Sequence, residues 1–188
     1  MLKLGETTLI ERVIRRAQLT GYTVILATTV NKEDDVLEET AKKCNINCFR
    51  GSESNVLERA VLAAEKNGLE AFARLCGDRP LFSIEEMKEA INQWKLAKPD
   101  LVTNNYTYKC LKGTTTEIIK TSSLRAQLND EPNTSQQEHV TFDFYKQPEQ
   151  YNILSIKPQF KFDNNDSGLA IDTIKDYEKI SSKFNINK

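Results

Sequence analysis

Arg74-Leu75-Cys76-Gly77-Asp78-Arg79-Pro80-Leu81-Phe82 decides the fold. The run from Phe72 to Cys76 is apolar apart from Arg74, too short for a helix, and broken by glycine. Pro80 then stops the backbone from continuing any ladder. A buried parallel strand ending this way delivers Asp78 to the carboxyl edge of a sheet, where open α/β folds place their ligands. A turn aspartate that satisfies nearby backbone donors has the same local sequence. The distinction between the two lies elsewhere in the chain.

Upstream, strands and helices alternate. Thr7/Thr8 cap a helix whose Leu9, Val13, Ile14 and Ala17 recur at helical spacing, and Gly21 ends it. Tyr22 to Ala27 predicts a buried strand, Lys32 to Lys43 a charged helix, and Cys48 to Arg50 a brief strand. A helix over Val56 to Lys66 follows, capped by Ser54 or Asn55 and stopped by Asn67-Gly68. Beyond Asp78, Ser83 and Glu86 form a capping box for a helix that runs to Lys98-Pro99. Short connections between alternating elements predict a mostly parallel sheet covered on both faces.

From Asp100 the pattern loosens. Leu101 to Thr103 is a strand, Tyr106 to Lys112 a polar extended stretch, and Gly113 leads into Glu117-Ile118-Ile119. A helix starts near Ser122/Ser123, 129–133 is a loop, and a second helix carries Glu138, His139, Val140 and Phe144. Strands are expected at Ile153 to Ile156, Phe160 to Phe162 and Ala170-Ile171, with a closing helix from Asp176 to Lys183. The long polar strand has reason to stay extended only if it pairs, so 104–162 is expected to leave the main sheet.

The bulk properties bound the class. A chain of 188 residues, 39% hydrophobic and 28% charged, suits one domain, 1–188, with a real core. Lys and Arg number 26 against 27 Asp and Glu, so no chain-wide basic footprint points to nucleic acid. No apolar run approaches a membrane span and no signal peptide opens the chain. Cys44, Cys48, Cys76 and Cys110 are too few and too irregular for a disulfide framework. Reduced thiols and a cytoplasmic location are expected.

Asp172 repeats the motif of Asp78: an apolar run, Leu169-Ala170-Ile171, ends in an acid, and Thr173 caps the next helix. Alone, Asp172 is most simply an N-cap. Together, two strand-end carboxylates can share a hard divalent cation, and Mg²⁺ accepts one or two carboxylates plus phosphates.

The combination resembles the cytidylyltransferases that activate acidic sugars, especially their spore-coat polysaccharide branch. The matching segments are Val24 to Thr28, Phe49-Arg50-Gly51-Ser52 with Val56 to Arg59, and Arg74 to Leu81. Asn104, Gly113 with Glu117, Glu138 to Thr141, and Ile171-Asp172-Thr173 with Asp176 come after them in the same order. The resemblance implies a Rossmann-like α/β nucleotidyltransferase fold and transfer of a cytidylyl group from CTP to an acidic sugar. It implies Asp78 and Asp172 as Mg²⁺ ligands and catalytic residues. It also puts Asn104, Glu117 and His139 on the sugar side, and a homodimer contact in 104–162.

Other residues keep two readings. Gly51 and Ser52 lie where a nucleotide would sit, or form a turn and a cap. Arg74 and Arg79 flank the acid; either faces phosphate, or Arg74 is a strand-end charge and Arg79 pairs with a surface carboxylate. His139, the only histidine, is a candidate base, since imidazole is the side-chain type most suited to proton transfer in neutral solution. A metal-activated hydroxyl needs no separate base, and a histidine on the inner face of its helix is the plainer reading.

Members of the resembled family open with a buried strand and a loop of the kind Ala-Arg-x-x-Ser-x-Arg-Leu-Pro-Gly-Lys, which wraps the triphosphate. Met1 to Gly5 corresponds to the residues just after that lysine. Without that strand, the sheet has two unpaired inner edges or its neighbours close together. A degenerate interaction subunit, or a relative using another nucleotide or an alcohol, are the alternative readings. The 188-residue chain is expected to release pyrophosphate from CTP slowly or not at all, because each positioned electrostatic donor is worth roughly a hundredfold in rate. Comparison with a form preceded by that strand and loop checks this, and full turnover by the short form would place the triphosphate elsewhere.

Overall fold

The computed structural model describes residues 1–128, 139–159 and 168–185. A small hairpin, β1 (Lys3–Leu4) with β2 (Thr7–Thr8), leads into α1 (Leu9–Gln18). Thr8 caps that helix, its hydroxyl accepting from the Glu11 amide at 3.3 Å. The helix buries Val13, Ile14 and Ala17. β3 (Ile25–Thr29) then pairs in parallel with β4 (Asn47–Gly51), and α2 (Asp35–Lys43) crosses between them. β3 therefore starts and ends later than Tyr22 to Ala27.

The larger sheet has four strands. Its order is β5 (Ala71–Ala73), β7 (Glu117–Lys120), β6 (Leu101–Thr103) and β8 (Ile153–Ser155). β7 runs antiparallel between β5 and β6, while β6 and β8 are parallel. β5, β6 and β8 share one direction and β7 is reversed, so two of the three pairings are antiparallel and the sheet is mixed where a mostly parallel one was expected. The segment expected to leave the sheet supplies two of its strands, β7 and β8. Neighbouring residues on a strand face opposite sides, and both sides are apolar here. Val102 and Ile118 join Phe82, Met87 and Trp94 on one face, below α4 (Ile84–Ala97). Leu101 and Ile119 join Leu57 and Val61 of α3 (Val56–Lys66), and Leu124 of α5 (Thr121–Ala126), on the other. A strand buried on both faces reads as a continuous apolar run, and each such side chain contributes about 1.5–3 kcal/mol. That burial holds Ile118 and Ile119 in the sheet.

Several local expectations change. The Tyr106 to Lys112 stretch forms no strand; its course is set by single bonds, such as the Thr107 amide to the Ser155 hydroxyl at 3.1 Å. Ala170-Ile171 is likewise not a strand. The closing helix α7 spans Ile174–Asn185, and the short α6 spans Phe142–Lys146, so Val140 and His139 precede it. The predicted strand Phe160 to Phe162, the 129–133 loop and Glu138 lie outside the described residues. Ser83 does accept from the Glu86 amide at 3.1 Å. The Glu86 carboxylate does not complete the box, because it turns inward to the Gln159 amide at 2.7 Å.

β3 and β5 belong to different sheets and do not pair. Between them lies a cavity of about 700 Å³, lined by β3, β5 and the inner face of α1. The facing edges of β3 and β5 are therefore separated. Strand edges without partners open to solvent more readily than paired ones. Hydrogen exchange is expected to be fastest at the cavity-facing amides of 25–29 and 71–73 and slowest at 101–103 and 117–120. Equal protection throughout would mean that the cavity is closed in solution.

Candidate active site

Asp78 stands five residues beyond β5, which ends at Ala73 rather than Cys76. One further bond, the Arg74 amide to the Glu117 carbonyl at 3.1 Å, continues toward β7, and then the chain turns. The Arg79 amide closes that turn onto the Cys76 carbonyl at 3.2 Å. Pro80 has no amide to extend it. Arg16 of α1 donates its Nε to the Phe82 carbonyl at 2.7 Å, fixing the far side of the turn.

The turn meets Asp172. The Ile171 amide donates to the Asp78 carbonyl at 2.9 Å, and the Leu169 amide donates to the Lys112 carbonyl at 2.7 Å. Three segments distant in sequence are laced together by backbone. Glycine permits the approach: a Cβ on Gly113 would lie 2.3 Å from the Ala170 nitrogen, and one on Gly168 would lie 2.7 Å from the Lys112 carbonyl oxygen. Both glycines have positive φ, +85° and +87°.

Asp172 is not the cap of α7. Thr173 is: its hydroxyl accepts from the Asp176 amide at 3.2 Å, while the Asp176 carboxylate accepts from the Thr173 amide at 2.9 Å. The Thr173 hydroxyl, donating to the Asp176 carboxylate at 2.7 Å, holds that carboxyl below its usual range, and the Thr173 amide adds to the effect. The Asp172 carboxylate is left to pair with Lys112, Nζ to Oδ2 at 2.5 Å. The same ammonium is held in its charged form chiefly by Asp172, with Asp176 and Asp78 adding to the effect. Lys112 was not singled out by sequence reading. Its only local signal is the glycine beside it.

Arg74 and Glu117, assigned to opposite sides of the site, meet each other at 3.5 Å. Glu117 is buried, and its Oε1 accepts from Thr141 Oγ1 at 3.1 Å and from the Tyr145 hydroxyl at 2.9 Å. Burial and the adjacent carboxylate push the Tyr145 phenol up, so it remains a donor. Asn104 is fully buried; its amide donates to Glu86 and, at 2.9 Å, to the Thr114 carbonyl, while its oxygen accepts from the Thr116 amide at 3.0 Å. These bonds make Asn104 a latch between β6 and the turn that carries Gly113.

Gly51 and Ser52 are engaged in building their own turn. The Gly51 carbonyl accepts from the Val30 amide at 3.1 Å, and a Cβ there would lie 2.8 Å from the Phe49 ring. The Ser52 hydroxyl accepts from the Asn55 amide at 3.1 Å, and Asn55 caps α3. His139 is exposed before α6, not on the inner face of a helix, beside a hollow of about 330 Å³ shared with Thr141, Phe142, Tyr145 and Lys146. The structure therefore brings the backbone turns of Asp78 and Asp172 together, joins Arg74 to Glu117, and sets Gly51, Ser52 and His139 apart from them.

The donor set at the acid pair suits magnesium. Among the described residues no group of three or more His, Cys, Asp or Glu gathers for a metal. Two carboxylates therefore need oxygens from elsewhere, which is how Mg²⁺ is usually held beside nucleotide phosphates. Arg79 Nε, one residue from Asp78, is buried without a hydrogen-bond partner among the described residues, a donor left over by the protein's own fold.

An α/β arrangement of mixed sheets with acids on the loops beyond the strands fits a nucleotidyltransferase fold, and comparison with solved structures agrees. A cytidylyltransferase from Leptospira borgpetersenii superposes with a TM-score of 0.86 at 26% identity, covering 96% of this chain and 77% of that one. CMP:2-keto-3-deoxy-manno-octonic acid synthetase, solved with CTP, gives 0.71 at 11% identity, with coverage of 97% and 89%; this likeness is one of fold. The spore coat polysaccharide biosynthesis protein SpsF of Bacillus subtilis is 28% identical over 193 residues, covering 96% of this chain and 77% of that protein. The family model described as cytidylyltransferase matches residues 1–183. The chain belongs to the cytidylyltransferase family and is a nucleotidyltransferase that uses CTP. Among the described residues, no helix is long and apolar enough to cross a membrane.

The site geometry sets two expectations. Asn104→Ala should cost about 1–3 kcal/mol of unfolding free energy, because it strips a partner from buried Glu86. Gly113→Ala, which forces a positive φ and a backbone clash, should cost at least as much. Urea denaturation measures both. An Asn104→Ala protein as stable as the parent would show that Asn104 does not act as a latch.

Proposed function

We propose that this protein transfers the cytidylyl group of CTP to a hydroxyl of an acidic sugar, making an activated sugar for a surface polysaccharide. The observation that carries the reading is the backbone bond from Ile171 to Asp78, which sets Asp172 beside the other acidic turn. Family membership supplies the nucleotide, and the similarity to SpsF supports the polysaccharide context. The sugar hydroxyl oxygen bonds to the α-phosphorus, the bond from that phosphorus to the bridging oxygen breaks, and pyrophosphate leaves with the electron pair. The hydroxyl proton is released.

Asp78 and Asp172 would hold Mg²⁺, which neutralises charge on the phosphoryl oxygens when bound. The other contributions come from protein groups. The turn closed at Cys76 and Arg79 holds the backbone that carries Asp78, which limits the reorganisation needed when phosphate arrives. The Arg79 Nε, lacking a partner among the described residues, is a donor for a phosphate oxygen. In this reading Gly51, Ser52 and Arg74 border the nucleotide, Glu117, Asn104 and His139 lie on the acceptor side, and the Arg74–Glu117 ion pair joins the two. A homodimer would form through 104–162, where Tyr106 and Tyr108 are exposed. Use of a cellular nucleotide pool fits a cytoplasmic location.

Pyrophosphate release from each of the four nucleoside triphosphates, against acidic and neutral sugars, tests the reading. The strand-and-loop-extended form serves as a second parent. CTP with an acidic sugar is expected to give the highest rate. Asp78→Asn and Asp172→Asn should each lower it by roughly a hundredfold or more. Preference for another triphosphate or a neutral alcohol would overturn the substrate assignment. Undiminished turnover in both Asn variants would overturn the site.

A further inference from the structure

Lys112 is placed by the same backbone contacts that place Asp172. Its carbonyl accepts the Leu169 amide at 2.7 Å, and the glycine after it fits against Ala170 only because it lacks a Cβ. Gly168 in turn packs on the Lys112 backbone. The result is an ammonium 2.5 Å from the Asp172 carboxylate, within the field of Asp78 and Asp176. Stability does not account for so constrained a placement. The two side chains are 62% and 42% exposed, and an ion pair that open to water is worth about 0–1 kcal/mol.

We propose that Lys112 is a resident cation of the acid pair, and that it passes to the nucleotide's phosphates when a divalent ion takes Asp172. The inference rests on Asp78 and Asp172 being the metal's ligands. In the free protein the lysine offsets the charge of Asp172 beside a second acidic turn. A divalent ion competes with it for Asp172 and leaves the ammonium unpaired. Lysine is a compact point charge on a flexible four-carbon stem, anchored here at its backbone, so the freed ammonium swings without disturbing the loop. A triphosphate held beside the acid pair is the nearest strong anion. Lys112 thus opposes metal binding in the empty protein and favours nucleotide binding in the loaded one.

That opposition of signs is the test. Mn²⁺ affinity without nucleotide is read by electron paramagnetic resonance, and affinity for CTP with Mg²⁺ by calorimetry. The proteins are the parent, Lys112→Met, Lys112→Arg and Asp172→Asn, with thermal melting to confirm that each is folded. Lys112→Met is expected to bind Mn²⁺ about threefold to fivefold more tightly, as fits the loss of an exposed competing charge. It should bind CTP about tenfold or more weakly, the loss of one charged contact. Lys112→Arg should restore most of the CTP affinity. If Asp172→Asn loses Mn²⁺ while Lys112→Met leaves both affinities unchanged, the metal site stands and the role of Lys112 falls. Weakening of both affinities in Lys112→Met would make the residue a mere support of the loop, and the proposal falls equally. Absence of Mn²⁺ binding in both parent and Lys112→Met would overturn the metal reading together with the proposal.

Discussion

The contact of Gly113 and Gly168 with the opposing backbone is the constraint on which the site depends. Either glycine with a side chain would push 168–172 away from 111–114. The Ile171 amide could not then reach the Asp78 carbonyl, and the acidic turns would part. The penalty is steric and local, yet it governs groups 94 positions apart in the chain. Hydrogen bonds at 2.7 and 2.9 Å fix the register after the glycines have allowed the approach.

Beneath that contact the sheet acts as a rigid base. β6 and β7 are buried on both faces, so Asn104 leaves β6 and Glu117 opens β7 from fixed points. Both are polar groups inside the protein, and both are satisfied. Asn104 binds Glu86 and two backbone groups; Glu117 binds Thr141, Tyr145 and Arg74. Buried polar groups that find every partner specify one arrangement. The walls of the site are therefore made by side chains whose first task is structural, while Lys112 and Asp172 pair at the more exposed rim.

The sequence made the alternation of elements readable because local signals coincided there. Val56–Lys66 had both a cap and a stop, and Leu101–Thr103 was a pure β-branched and aliphatic run; both elements fall where the periodicity placed them. The reversed strand β7 was visible as a strand but not in its position. Ile118 and Ile119 signal burial on two faces, and nothing local says which neighbours provide it. Asp78 and Asp172 were legible as a matched pair of apolar runs ending in acid. The helix cap at Thr173, rather than Asp172, depends on the Asp176 carboxylate turning back on itself. Lys112 was illegible, being one lysine in a polar stretch until tertiary contact sets it against an acid. The same holds for Arg74 and Glu117, whose pairing crosses two strands.

Paramagnetic broadening of backbone amide signals by Mn²⁺, added with a non-hydrolysable CTP analogue, tests the central claim most directly. The account predicts that signals of 76–79, 112–114 and 171–173 are lost together at low Mn²⁺, while those of 139–146 persist. Loss centred on 139–146, or loss at only one of the two acidic turns, would contradict it.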